Sequence, residues 1–375
     1  MEASHLLTNV LEEGVRSRVF PGAVLLVRHE GRLLVHEAVG TLSTLPHAPP
    51  VHRHTLYDLA SLTKPLATVS AILLLVQEGM LELETPLQAV LSETKHHPLG
   101  AIPIRDFLCH RSGLPDWQPL YQAFPPTPVP DRESIRQREA SILDKILHEP
   151  LNQSLSRNSV YSDLGFMLLG FLVQRVTRTT LADFCHTRIY EPLGATPLGY
   201  RLGSEGQTTG EQHNIAPTEE GPWRTYLLQG EVHDDNAFAL GGMAGHAGLF
   251  GTAEAVGQVT HAWLEGYKGN PGIFDGRLVK EFVTAQPGTS WALGWDTPTR
   301  PSSSGQWFSP ESFGHLGFTG TSIWIDPIRE LEVIFLSNRV HPTRDNPAIK
   351  AFRPKLHDLI IQEISGPLPD NLLMI

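Results

Sequence analysis

Ser61-Leu62-Thr63-Lys64 is followed by Pro65 and by Leu66, Val69, Leu73, Val76 and Met80, apolar positions three and four residues apart that end at Gly79-Met80. This spacing predicts a helix that opens at the serine. Positions three apart are neighbours on one helix face, so the Ser61 hydroxyl and the Lys64 amine stand one turn apart. A nucleophile and its proton acceptor can be built from that pair. The helix N-terminus favours a developing alkoxide and a neutral amine, and desolvation is expected to lower the basicity of Lys64 further. Pro65 falls early enough in the helix to be tolerated. A second Ser-x-x-Lys, Ser92-Glu93-Thr94-Lys95, runs into His96-His97-Pro98 without apolar periodicity and reads as a solvated loop. Taken alone, the first copy reads more simply as a serine N-cap with an exposed helix lysine.

Two further elements weigh against that. Tyr161-Ser162-Asp163 precedes Leu164, Met167, Leu168, Phe171 and Leu172, an apolar set with helical spacing, so a tyrosine stands just before a buried helix with Ser162 or Asp163 available as its cap. His315-Leu316-Gly317-Phe318-Thr319-Gly320 leads into Ile323-Trp324-Ile325-Asp326-Pro327 and Leu331 to Leu336, apolar runs about a proline-containing turn that read as a β-hairpin.

With the three elements in this order, the chain resembles the serine β-lactamase and penicillin-binding-protein superfamily, and within it the class C β-lactamase, esterase and D-Ala-D-Ala peptidase branch. Tyr57-Asp58-Leu59-Ala60, the stretch from Ile104 to Pro115, and Gly248-Leu249-Phe250-Gly251-Thr252-Ala253 carry the same resemblance, which covers roughly residues 5 to 360. It implies an α+β fold of the β-lactamase/transpeptidase type. Residues 1–65 and 241–375 would build one antiparallel sheet flanked by helices, and residues 66–240 a mainly helical lobe. The active site would lie between them in a single compact catalytic unit.

Composition agrees. A chain of 375 residues with 41% hydrophobic residues can bury a large core, and its net charge of -11 without a basic run makes nucleic acid an unexpected partner. Apolar stretches near Ala71 to Val76 and Leu164 to Val173 are short for a bilayer span. Met1 to His5 has neither a basic start nor a signal-type apolar core, which points to the cytoplasm, or to the periplasm or exterior if a signal was removed. Cys109 and Cys185 suit reduced buried thiols. The eighteen histidines form no convincing ligand set, so neither metal nor cofactor is expected. Expected hairpin strands run from Ala23 to His29 and from Arg32 to Ala38, and a last helix from Pro347 to Ile364.

The resemblance implies residue roles. Ser61 would attack a carbonyl, with Lys64 and Tyr161 sharing the proton transfers. The backbone N–H groups of Ser61 and Phe318 would form the oxyanion hole, and Gly317 would be glycine because substrate approaches it. Trp117, beside Asp116, would face the substrate or else be a half-buried aromatic of the helical lobe, and His246, in a glycine-dense stretch from Gly241 to Gly248 that reads as a tight loop at the cleft rim before a helix, would line the pocket or serve a structural role. Asp163, His315 and Leu316 would contact substrate but depart from the family pattern, in which an amide follows the tyrosine and lysine and threonine precede the glycine. An ionised Asp163 would repel a substrate carboxylate, Leu316 lacks a hydroxyl, and His315 would titrate at about pH 6 to 7. The expected function is therefore a serine hydrolase forming an acyl-enzyme on Ser61, acting on carboxylic esters or small amides with weak or no β-lactamase activity. The alternatives are a true β-lactamase or D-Ala-D-Ala carboxypeptidase and, from another class, a catalytically silent ligand-binding relative.

Overall fold

Both faces of one strand are covered, and its sequence shows it. Gly-Ala-Val-Leu-Leu-Val-Arg-His at 22–29 is apolar almost throughout, and successive strand residues point to opposite faces. Ala23, Leu25 and Val27 enter a core with Leu7, Leu11, Leu356 and Ile360. Val24 and Leu26 enter a larger one with Val256, Val259 and Trp263. The computed structural model describes residues 2–129, 131–151, 159–201 and 214–364.

In chain order the elements begin with α1 (Glu2–Arg16), β1 (Gly22–His29), β2 (Arg32–Gly40) and β3 (Tyr57–Asp58). A 3-10 turn (Ala60–Leu62), a π-type turn (Lys64–Val69) and α2 (Ser70–Gln77) follow, then α3 (Ile104–Leu108), α4 (Arg132–Leu147), α5 (Asp163–Thr177) and α6 (Leu181–Cys185). Next come β4 (Leu198–Tyr200), α7 (Asp235–Ala239), β5 (Leu249–Gly251), α8 (Ala253–Lys268) and α9 (Gly276–Val283). β6 (Phe313–Leu316), β7 (Ser322–Asp326), β8 (Leu331–Ser337) and α10 (Ile349–Ile364) close the chain. Five strands pair antiparallel in the order β2-β1-β8-β7-β6, so the first hairpin and the last three strands share one sheet. Strands β3, β5 and β4 make a small second sheet beside the serine turn.

Both hairpins form where the sequence puts them. The helix behind Ser61 also forms, but it is not the uniform α-helix that its periodicity suggests. It is wound in three pitches. Proline has no N–H and its ring crowds the carbonyl one turn back, so the backbone widens at Pro65 into a π-type turn, a form often found at functional sites. The span Ala60–Gln77 has the length and hydropathy of a bilayer segment, yet 83% of it is buried inside the protein, as befits a core helix. Ser92–Thr94 forms one 3-10 turn in which Ser92 and Glu93 are exposed and Thr94 is buried.

Helix α5 is buried from Leu164 to Val173. Gly241–Gly248 crosses it, and here the expectation of a rim loop ahead of a helix is corrected. The segment runs through the interior, buried from Gly242 onward, and enters strand β5. Glycine permits this. A Cβ on Gly245 would lie 2.9 Å from the Gly170 backbone nitrogen and would collide with the carbonyl oxygen of Phe166. Cys109 and Cys185 are free and buried, and burial pushes both thiols up to about 12.

Overpacking a close-packed contact of this kind destabilises by about 1–3 kcal/mol. Gly245→Ala should therefore lower the urea midpoint at an unchanged slope. An unaltered midpoint would show that the crossing of α5 is looser than described.

Candidate active site

The serine turn is anchored from below. Asp58 at the end of β3 is buried, and its carboxylate accepts from the N–H of Ala60 (2.8 Å) and from the N–H of His233 (2.5 Å). Ala60 holds a left-handed φ of 48°, a conformation that costs a residue with a side chain roughly 1–3 kcal/mol and persists where the surroundings enforce it. The first hydrogen bond of the 3-10 turn runs from Leu62 N–H to Leu59 O, so the N–H of Ser61 lies ahead of it, free of the turn's own ladder. Ser61 itself is half-buried.

Lys64 is fully buried, and its Nζ donates to Ser61 Oγ (3.0 Å), Asp163 Oδ1 (2.6 Å) and the carbonyl of His246 (3.4 Å). Burial pulls its basicity down, but the charge of Asp163 and its hydrogen bond outweigh it, and the pKa is raised. The expected neutral amine is thus corrected: Lys64 rests as an ammonium. Asp163 is correspondingly its counter-ion rather than an uncompensated anion facing substrate. Ser162 caps α5 by accepting from the N–H of Gly165, and that cap sets Asp163 in the first turn.

Tyr161 sits in a cage of rings. His110, Trp291 and His315 lie at 4.6, 5.3 and 5.9 Å between centroids, and Lys64 Nζ stands 4.7 Å from the centre of the Tyr161 ring. Burial raises the phenol's pKa against the opposing pull of Lys64, so it rests neutral. His110 accepts the Ser162 N–H at Nδ1 (3.0 Å) and is held neutral by burial and by Lys64. His315 donates from Nδ1 to the carbonyl of Leu316 (2.8 Å), which leaves Nε2 as a buried lone pair without a partner among the described residues. Burial first, and Lys64 second, lower its pKa to about 3. The expected ionisation at about pH 6 to 7 is therefore corrected, because a buried imidazole beside an ammonium stays neutral there.

On strand β6 and beyond it, backbone meets backbone. The protein itself requires glycine at 317: a Cβ there would lie 2.5 Å from the carbonyl of Leu59 and collide with the Thr321 hydroxyl. Thr319 Oγ1 donates to Asp58 O (2.7 Å) and Thr321 Oγ1 to Leu59 O (3.0 Å), stitching this turn to the serine turn. Arg353 holds the carbonyls of Gly317 and Thr321 from behind. Arg339 Nε donates to the carbonyl of Phe318 (2.9 Å), while among the described residues the Phe318 N–H has no backbone partner.

The structure thus brings Ser61, Lys64, Tyr161, Asp163 and His315 together and sets Gly317 and Phe318 beside the serine turn. Leu316 is half-buried at the end of β6. Trp117 is not in the ring cage; its indole is exposed and lies 6.3 Å from Tyr121, although Asp116 beside it accepts the N–H of Asp163 (2.8 Å). His246 is 1% exposed, so its ring belongs to the interior; Nε2 donates to Asp234 Oδ1 (2.9 Å). Burial would raise the Asp234 carboxyl, but His246 holds it below its usual range. Donors of Asp163, Asp234 and His246 lie within 4.8 Å of one another. Each is engaged with a protein partner, Asp163 with Lys64 and Asp234 with His246. Sequence reasoning missed His110, Trp291, Thr319 and Thr321.

Two outcomes follow. Removing one member of a buried ion pair strands the other, at about 3–5 kcal/mol, so Asp163→Ala should lose that much stability at pH 7, read by denaturant titration; a loss under about 1 kcal/mol would contradict the pairing. His315 and His110, with pKa values depressed by folding, contribute stability that is complete above the unfolded histidine value of about 6.5 and is lost as pH falls towards the folded values. Unfolding at pH 5 should accordingly take up protons that His315→Gln reduces by nearly one; equal uptake would contradict burial of a neutral imidazole.

The beta-lactamase family model matches residues 7–356. A Salmonella agona (strain SL483) protein named "Putative D-alanyl-D-alanine carboxypeptidase" is 30% identical over 359 residues, covering 88% of this chain and 81% of that one. The solved structure of EstCE1, described as a hydrolase with promiscuous acyltransferase activity, superposes with a TM-score of 0.71 at 18% identity, covering 94% of this chain and 98% of its own. A class C beta lactamase from Rhodobacter sphaeroides superposes with a TM-score of 0.68 at 18% identity, covering 96% and 99%.

Proposed function

Because the chain belongs to the beta-lactamase family and is a serine hydrolase that works through an acyl-enzyme, we propose that Ser61 carries the acyl group and that neutral carboxylic esters or small amides are its substrates. The observation that carries the substrate class is the character of position 315. Where the family pattern has a lysine, this chain offers a neutral, buried imidazole whose Nε2 is an acceptor, followed by Leu316 without a hydroxyl. The ammonium beside Ser61 is already paired with Asp163. A substrate carboxylate gains little from such groups, while an uncharged ester loses nothing.

In this reading Lys64 spans the gap between Ser61 Oγ and Asp163 Oδ1. As Ser61 Oγ attacks the carbonyl carbon, its proton passes to Lys64 while Lys64 hands one of its own across the 2.6 Å contact to Asp163. The N–H groups of Ser61 and Phe318 receive the carbonyl oxygen as it becomes an oxyanion. Tyr161, kept neutral by burial, gives its hydroxyl proton to the leaving oxygen and regains one from the Lys64–Asp163 pair. The reverse sequence activates water on the acyl-enzyme and frees Ser61. A D-alanyl peptide is the second reading, and the name borne by the 30% identical relative supports it.

Turnover of chromogenic short-chain esters, D-Ala-D-Ala peptides and a cephalosporin should rank in that order by kcat/KM. Peptides or the cephalosporin outranking every ester would overturn the ester reading. Lys64→Ala and Tyr161→Phe should each lower kcat by roughly a hundredfold or more, the scale of a lost proton-transfer group. Near-native turnover in either would remove that residue from the pathway. His315→Lys combined with Leu316→Thr should raise cephalosporin acylation relative to ester hydrolysis; an unchanged ratio would show that β6 does not set specificity.

A further inference from the structure

Glu219 is a carboxylate that the acyl-transfer steps do not use, yet it is 3% exposed and fully engaged. It accepts from His233 Nε2 (2.7 Å), from the backbone N–H of Arg344 (2.8 Å) and from Arg344 Nε (2.5 Å), with the Arg344 guanidinium paired to it as well. Burial would raise its pKa, but His233 and Arg344 lower it to about 2, so the group is an anion across the working range.

His233 connects this anion to both sides of the oxyanion site. Its ring, 6% exposed, stacks on Phe318 with centroids 5.6 Å apart and planes 26° apart. Its backbone N–H binds the Asp58 carboxylate that also holds the N–H of Ala60, the residue before the nucleophile. Two arginines also approach the Phe318 ring. Arg339 lies 4.5 Å from the centre of the Phe318 ring and Arg344 5.9 Å, while Arg339 also binds the carbonyl of Phe318. Phe318 is 49% exposed, so burial alone does not fix it; what holds its side chain is this stack and the cation above the ring.

We propose that Glu219 and His233 are positioning residues for the acyl-transfer reaction: the Glu219 anion fixes the His233 ring against Phe318, and that ring together with the His233 N–H on Asp58 sets the spacing between the Phe318 and Ser61 N–H groups that receive the oxyanion. The proposal rests on acylation at Ser61. It concerns transition-state geometry, so the ground-state pocket is left nearly as it was. Small misplacements of such donors cost up to about a hundredfold in rate.

The test compares kcat, KM, the inhibition constant of a boronic acid that forms a tetrahedral adduct on the serine, and the thermal midpoint. In His233→Ala, kcat should fall roughly ten- to a hundredfold with KM unchanged within about twofold, and boronate affinity should weaken by a similar factor. His233→Phe keeps a ring on Phe318 but loses the contact to Glu219, so it should recover part of both, to about the level of Glu219→Gln, even where its thermal midpoint is lower. Glu219→Gln, which keeps the shape and removes the charge, should show a several-fold fall of the same kind, and it carries the test if His233→Ala does not fold. Native kcat and boronate affinity in these variants, a loss confined to KM, or a His233→Phe variant as impaired as His233→Ala would overturn the proposal. Boronate adduct formation on Ser61 in the unmodified protein, followed by intact mass, tests the underlying reading separately.

Discussion

The contact between Lys64 and Asp163 joins two parts of the chain that are far apart in sequence, the turn after β3 and the first turn of α5. Taking both charges out of water is costly, and their attraction offsets that cost only with close geometry and further hydrogen bonds. Lys64 has both: a 2.6 Å contact to the carboxylate and additional acceptors in Ser61 Oγ and the His246 carbonyl. The pair therefore fixes Lys64 beside the nucleophile and decides its protonation state. It also sets the charge felt by the rings around it, since Lys64 contributes to the lowered pKa of both His110 and His315.

A second constraint works on the opposite side of Ser61. Hydroxyls of Thr319 and Thr321 bind the carbonyls of Asp58 and Leu59, so the turn beyond β6 is tied directly to the turn carrying the serine. Gly317 lets them meet without a side chain between. Because β6 belongs to the five-stranded sheet and the serine turn continues into the core helix, these bonds also tie the sheet to the helices behind the site. The strain at Ala60 is held in the same place, by Asp58.

Much of this is written locally in the chain. The covered faces of β1 are visible as an apolar run, the helix after Ser61 as a three-and-four spacing, and the hairpin of β7 and β8 as two β-rich runs about Pro327. Ser61 and Lys64 could be chosen from their spacing on a helix face, and Tyr161 because its order after them matches the family that the chain resembles. What the sequence does not show depends on contacts between distant residues. The charge of Lys64 follows from a carboxylate ninety-nine positions away, and the neutrality of His315 from burial against Tyr161 and Trp291. Trp117 stood next to a conspicuous phrase and is exposed, whereas Trp291 had no motif to mark it and packs on Tyr161. The π-type turn could have been anticipated, since Pro65 removes a helix donor where regular winding would begin.

The measurement that bears most directly on the account is peptide mapping of the protein quenched with acid during turnover of a slowly hydrolysed ester. An acyl mass should appear on the peptide that contains Ser61, rise to a steady level and disappear when the ester is exhausted. An acyl mass on another residue, or turnover with no acylated peptide at any time, would contradict it.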